Sequence, residues 1–486
     1  MTETVSIPMW LAATLAALAA WAVLDRILIP CVRRLVRGRV NRMVDRLNTR
    51  LQLGIPAFHR TRRRVLVDRL TNDPAVQEAL AAHSLETGLS RDDLLREVEG
   101  YAREIVPSFN AYAYFRIAYR VAHRTAQFLY RMRLGYSDHE ALSKIETDAS
   151  IVFVMNHRSN MDYVIVAYMV ASRTALSYAV GEWARIWPLR ALIRSLGAYF
   201  VRRQSGNRLY RRVLARYVQM ATEGGVVQAV YPEGGLSRDG RLREPKLGLI
   251  SYMLSAFDPD GRRDLVFIPV GLNYDRVLED RSLLEGLEPG SASRGRARAA
   301  RNFLRFVAKN MGLMLRGGWY RFGYACVNFG SPVSMRAYVR ARGLDFRSLD
   351  PGARTVAVRQ LGDELLQAVA ATIPVLPVPL VATVFVRRPG KRLSGLEIKA
   401  HVQSLIDEAQ QSGAYVHIPR ADQDYAITVG LRGLLLRRIV DEHDGLYSAR
   451  TDAERVLRYY ANSIEQFLRG EGEGPAVRAG EPGSVP

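Results

Sequence analysis

The 486-residue sequence predicts an α/β fold: a mixed central sheet flanked by helices, with helical amino- and carboxy-terminal regions and a membrane segment at the amino terminus. Three observations carry this. The runs Ile151–Met155, Ala198–Val201, Val226–Tyr231 and Leu265–Val270 are short, rich in β-branched or aromatic residues, and separated by helix-length segments. The chain before and after them is patterned as helix. Finally, no side chain from Ile7 to Leu24 is charged.

That first run is interrupted by Asp25 and Arg26 and resumes at Ile27, Leu28 and Ile29 before Pro30. It is long enough to span a bilayer, although its alanine content makes it only moderately hydrophobic. No basic stretch precedes it, which argues against a cleaved signal peptide. A buried amino-terminal helix is the alternative. Arg33, Arg34, Arg37, Arg39, Arg42 and Arg46 follow, so the positive-inside rule places the body of the chain on the cytoplasmic side of the cell (inner) membrane.

The expected order is a membrane segment at 1–31, a basic helical region at 32–135, an α/β domain at 136–345, a mostly helical region at 346–470, and a disordered tail at 471–486. Pro56, Pro74 and Pro107 punctuate the basic region, whose Arg60–Arg64 stretch suits either solvent or anionic lipid. Glu288–Arg301 combines Pro, Gly and Ser with four arginines and reads as a mobile basic loop. Leu380–Val386 reads as a strand within the later helical region.

Composition narrows the function. Hydrophobic residues make up 48% of the chain, enough for a large core. Its two cysteines, Cys31 and Cys326, lie too far apart in sequence to suggest a zinc site or a disulfide framework, and a reducing compartment follows. Lys and Arg number 69 against 48 Asp and Glu, a net charge of +21 that asks for an anionic partner. An anionic membrane surface and phosphorylated or CoA-bearing substrates qualify. Nucleic acid is disfavoured by the lack of a zinc-finger or RNP1 signature.

The chemistry concentrates at Asn156-His-Arg-Ser-Asn-Met-Asp162, directly after a strand-like run and before the helical segment Tyr163–Ala171. Strand ends are where α/β folds build sites. A histidine serves as general base near neutral pH, and a carboxylate on its other ring nitrogen fixes its tautomer. Residues five apart on a helix diverge by about 140°, so His157 and Asp162 meet only if the preceding loop bends the histidine back. The spacing alone is weak, since His417 and Asp422 share it. There Pro419 intervenes and no polar cluster accompanies the pair, so His417 reads as a surface or satisfied structural residue.

Two further clusters follow strand-like runs. Gly197-Ala-Tyr-Phe-Val-Arg-Arg203 ends on Arg202 and Arg203. Tyr231-Pro-Glu-Gly-Gly-Leu-Ser-Arg-Asp-Gly-Arg241 continues to Gly248. Gly234 and Gly235 let backbone approach a ligand, and Ser237, Arg238, Arg241, Arg243 and Lys246 supply donors suited to a phosphate dianion.

These blocks resemble the glycerol-3-phosphate O-acyltransferases of the wider glycerolipid acyltransferase superfamily. His157–Tyr163 is similar to the His-Arg-Ser-x-x-Asp-Tyr catalytic block. Gly197–Arg203 and Glu233–Gly240 resemble the two blocks assigned to glycerol phosphate. Phe267-Ile-Pro-Val-Gly271 with Tyr274 resembles a fourth, linked to the acyl donor. The resemblance implies transfer of a fatty acyl group from acyl-CoA or acyl carrier protein to the hydroxyl of glycerol 3-phosphate, giving lysophosphatidate, in phospholipid biosynthesis. His157 would be the base and Asp162 its orienting partner. Arg158, Ser159, Arg202, Arg203, Glu233, Gly234, Gly235, Ser237, Arg238 and Lys246 would bind substrate. No metal or bound cofactor is implied, because a thioester is already activated, and no Gly-x-Ser-x-Gly elbow is present.

The sequence departs from the family where Gly235 and Leu236 replace its usual Arg or Thr-Arg, and where Asn160 and Tyr231-Pro232 stand. Pro232 before Glu233 is more usual in the lysophosphatidate acyltransferases, which keeps lysophosphatidate and dihydroxyacetone phosphate as alternative acceptors. A basic peripheral protein that binds anionic lipid without catalysis is the non-enzyme alternative. Such a protein has no use for a His–Asp pair.

Overall fold

The computed structural model describes residues 56–110, 114, 119–170, 176–181, 193–202, 206–255, 257–285 and 322–468. The expected membrane segment, the arginines directly after it, the basic loop Glu288–Arg301 and the carboxy-terminal tail lie outside the described residues. Among the described residues, no helix is long and apolar enough to cross a membrane.

The strands in chain order are β1 (Arg131–Ser137), β2 (Ser150–Met155), β3 (Ser177–Val180), β4 (Tyr199–Phe200), β5 (Gln228–Val230), β6 (Leu265–Tyr274), β7 (Tyr324–Phe329) and β8 (Val333–Ser334). They form one sheet in the order β1-β7-β6-β2-β5-β3-β4, with β8 also paired to β6. The run from β6 through β4 is parallel, β7 is antiparallel to β6, and β1 is parallel to β7. The sheet is therefore mixed, as the sequence predicts.

Every residue of β2, β5, β6 and β7 is buried, which requires cover on both faces. Alternation along β2 shows the two layers. Ile151, Phe153 and Met155 enter one core, with helices Asp162–Val170, Pro377–Arg387, Gly395–Gln411 and Glu454–Asn462. Val152 and Val154 enter the other, with helices Arg63–Thr71, Pro74–Thr87, Arg91–Ile105, Arg208–Glu223 and Pro351–Thr372. Each such side chain contributes roughly 1.5–3 kcal/mol on burial. Local signals start several of these helices: Asp73, Ser90 and Asn207 each cap one by accepting a backbone N–H.

Two expectations are corrected. Leu380–Val386 is not a strand but the body of helix Pro377–Arg387. Pro377 and Pro379 fit the first helical turn, where no N–H partner is needed. Pro377 through Phe385 are all buried, so no polar face betrays the helical period. The helical region also ends earlier than 135, because β1 begins at Arg131. A small antiparallel sheet, β9 (Leu393–Ser394), β10 (Val440–His443) and β11 (Leu446–Ala449), sits within the later helical region.

Candidate active site

The site grows from the carboxyl end of β2. Asn156 continues the ladder by side chain: its Nδ2 donates to the Leu272 carbonyl at 2.9 Å, and its Oδ1 accepts the Leu272 N–H at 2.8 Å. The chain then turns, and helix Asp162–Val170 starts on Asp162 itself. This is the bend that brings His157 back over the helix start. His157 Nδ1 lies 2.9 Å from Asp162 Oδ2, and both side chains are buried.

The same Oδ2 accepts the backbone N–H of Arg158 at 2.8 Å and of Ser159 at 3.1 Å. Asp162 Oδ1 accepts the hydroxyl of Tyr274. All of Asp162's other partners are donors, so it sits as a carboxylate and Nδ1 carries the imidazole proton. Nε2 is left as the basic nitrogen, 3.5 Å from the Tyr163 hydroxyl. Tyr231 stacks on the imidazole with ring centroids 4.1 Å apart. Burial pushes the phenols of Tyr231 and Tyr274 well above their ordinary range, so both remain neutral, and Tyr274 donates to Asp162.

The Glu-Gly-Gly turn after β5 is wired to the same loop. Glu233 Oε1 accepts the His157 backbone N–H at 2.8 Å, and burial raises the pKa of this carboxyl. Ser237 N donates to the His157 carbonyl at 2.8 Å. Gly234 has φ +66°, and a Cβ there would stand 2.6 Å from Lys246 Cδ. Glycine thus lets the Lys246 stem lie across the turn while Lys246 itself is exposed. Gly235 is buried and Arg238 is exposed on the turn.

Several residues singled out by sequence lie elsewhere. The Arg158 side chain is buried and reaches the carbonyls of Gly240 and Ser463, away from His157. Ser237 Oγ closes its own turn, accepting Gly240 N at 3.0 Å and donating to Arg241 O at 2.8 Å. Arg202 is committed to Glu104 by contacts of 3.0 and 2.6 Å, between the rings of Tyr101 and Tyr210. Arg241 pairs with Glu465 at 2.7 Å. Ser159 Oγ donates to Glu279 at 2.7 Å. Arg203 lies outside the described residues.

Sequence reading missed what supports the pair. Tyr274, in the block that resembles the acyl-donor motif, holds Asp162 through its hydroxyl. The carboxy-terminal helix Glu454–Asn462 and the residues after it pack on the turn at 237–241: Asn462 Nδ2 donates to Asp239 O at 2.9 Å, and Arg158 reaches Ser463 O at 3.5 Å. The only local hint was Gly240, whose φ of +90° and close approach to Tyr459 demand glycine.

His417 is corrected too. It is buried, its Nε2 has no hydrogen-bond partner among the described residues, and burial with nearby Arg133 lowers its pKa to about 4. Its sequence partner Asp422 instead caps helix Gln423–Leu436, accepting Tyr425 N at 2.9 Å.

Comparison with known proteins finds acyltransferases. An acyltransferase family model matches residues 137–273, and the model of the glycerol-3-phosphate acyltransferase C-terminal region matches residues 314–468. Proteins named glycerol-3-phosphate acyltransferase are similar: one from Xylella fastidiosa (strain M23) is 27% identical over 70% of this chain and 39% of its own length. Those of Pseudomonas fluorescens (strain SBW25) and Colwellia psychrerythraea are 28% and 25% identical, over 66% and 83% of this chain and 38% and 49% of their own. The chain thus spans less than half the length of these relatives. The crystal structure of a 1-acyl-sn-glycerophosphate (LPA) acyltransferase from Thermotoga maritima aligns at TM-score 0.30 and 16% identity, covering 63% of this chain and 98% of that one, a likeness too slight to bear on the fold. With two family models matched in order around a buried His–Asp pair, the chain carries an acyltransferase domain followed by a region similar to the glycerol-3-phosphate acyltransferase C-terminal region.

Proposed function

We propose that this chain transfers a fatty acyl group from acyl-CoA or acyl carrier protein to a hydroxyl of glycerol 3-phosphate, giving lysophosphatidate. The observation that carries the reading is the buried His157–Asp162 contact of 2.9 Å, which leaves Nε2 as the basic nitrogen. Nε2 takes the proton as the acceptor oxygen attacks the thioester carbonyl. Asp162 stabilises the imidazolium, which then returns the proton to the departing thiolate. Lys246 and Arg238, exposed on the Glu-Gly-Gly turn, with Arg203 of the neighbouring block, hold the phosphate. Arg202, tied to Glu104, is left to anchor the helical layer. The excess charge of +21 favours work at the anionic cytoplasmic face of the inner membrane.

The test offers purified protein in detergent acyl-CoA with glycerol 3-phosphate, dihydroxyacetone phosphate or lysophosphatidate in turn. The highest kcat/KM is expected with glycerol 3-phosphate. A preference for lysophosphatidate, which Pro232 leaves open, would overturn the acceptor while keeping the chemistry.

A further inference from the structure

The catalytic loop leans on a second carboxylate. Glu279, just beyond β6, accepts the Ser159 hydroxyl at 2.7 Å with Oε2. Its Oε1 accepts the backbone N–H of Asn160 at 3.2 Å and the side-chain Nδ2 at 3.0 Å. These three partners donate, as suits an anionic carboxylate. Burial raises the pKa of this carboxyl, opposed by those hydrogen bonds. A half-buried charge is costly unless engaged, and here it is engaged by a loop without regular structure.

The two carboxylates divide Ser159 between them. Its N–H goes to Asp162 Oδ2 at 3.1 Å and its hydroxyl to Glu279, while Ser159 Oγ also accepts Met161 N at 3.1 Å. Residues 156–159 belong to no helix or strand, so side chains must fix their path. An error of about 1 Å in a catalytic group costs on the order of 100-fold in rate.

We propose that Glu279 is the positioning residue of the catalytic loop: it touches no substrate, and it holds Ser159 and Asn160 so that Asp162 meets His157 Nδ1. This rests on the acyltransferase reading above. Glu279 and Tyr274 flank Asp162 from one stretch of chain, so the end of β6 supports the dyad twice.

The experiment uses the full chain in detergent with acyl-CoA and glycerol 3-phosphate, and variants each checked by thermal unfolding. Glu279→Ala is expected to lower kcat by on the order of 100-fold, with both KM values within about twofold. Glu279→Gln, which keeps an acceptor for Asn160 N, is expected to recover most of that loss. Combining Glu279→Ala with Ser159→Ala should add little to Glu279→Ala alone, because both cut the same support. Nitrogen-15 NMR of labelled histidine, assigned by the signal missing in His157→Ala, is expected to show the Nδ1–H tautomer in the wild type and mixed tautomers in Glu279→Ala.

Unchanged kcat, strict additivity with Ser159→Ala, or an unmoved tautomer would overturn the proposal. So would an effect confined to the acceptor KM, which would make Glu279 a binding group. Should Glu279→Ala fail to fold, Ser159→Ala, which removes the hydroxyl that Glu279 holds, carries the same kinetic and tautomer readouts. Should the wild type acylate none of the acceptors, the functional reading fails, yet the tautomer measurement still judges Glu279 by itself.

Discussion

Asp162 is the most heavily engaged side chain of the site, accepting from the His157 ring, two backbone N–H groups and the Tyr274 hydroxyl. In the buried interior a lost donor is not replaced by water. Tyr274→Phe removes one charge-assisted bond, worth roughly 1.5–3 kcal/mol. It is expected to lower kcat about ten- to a hundredfold with little change in either KM, measured by steady-state kinetics. A rise confined to the donor KM, with kcat intact, would place Tyr274 at the donor site instead. The His–Asp spacing itself was legible because the local order of strand, loop and helix start confined the geometry. Tyr274 and Glu279 were not, since only sheet pairing of β6 with β2 carries them to a loop more than a hundred positions earlier.

At the scale of elements, the carboxy-terminal helix Glu454–Asn462 is a brace for the turn at 237–241. Two contacts there differ in strength. Arg241 and Glu465 are 56% and 43% exposed, so their pair contributes about 1 kcal/mol or less. Gly240 is different: a Cβ would stand 1.9 Å from the Tyr459 carbonyl oxygen, and φ is +90°. Glu465→Gln is therefore expected to leave the thermal midpoint and the acceptor KM nearly unchanged. Gly240→Ala forces the turn or the helix to move, lowering the midpoint by several degrees and raising the acceptor KM more than the donor KM. A Gly240→Ala protein with wild-type midpoint and kinetics would refute the brace.

The buried strands β2 and β6 were legible as elements because continuous apolar runs between helix-length segments suit a parallel sheet. The same rule misassigned Pro377–Arg387, where total burial hides the helical period. The hairpin β10–β11 carried a readable Asp444-Gly445 turn, with φ of 54° and 75°, that the helical surroundings masked.

For the whole molecule, the two layers over one mixed sheet place β2, β5 and β6 so that their carboxyl ends meet at a single point, the His157 loop. The proposed transfer depends on His157 being the base. The most direct measurement is single-turnover acyl transfer from acyl-CoA to glycerol 3-phosphate by the wild type, His157→Ala and Asp162→Asn, each shown folded by thermal unfolding. No detectable transfer is expected from His157→Ala, and a loss of about 10⁴-fold from Asp162→Asn, the scale of tautomer loss in other His–Asp pairs. Transfer by His157→Ala at a rate near that of the wild type would contradict His157 as the base.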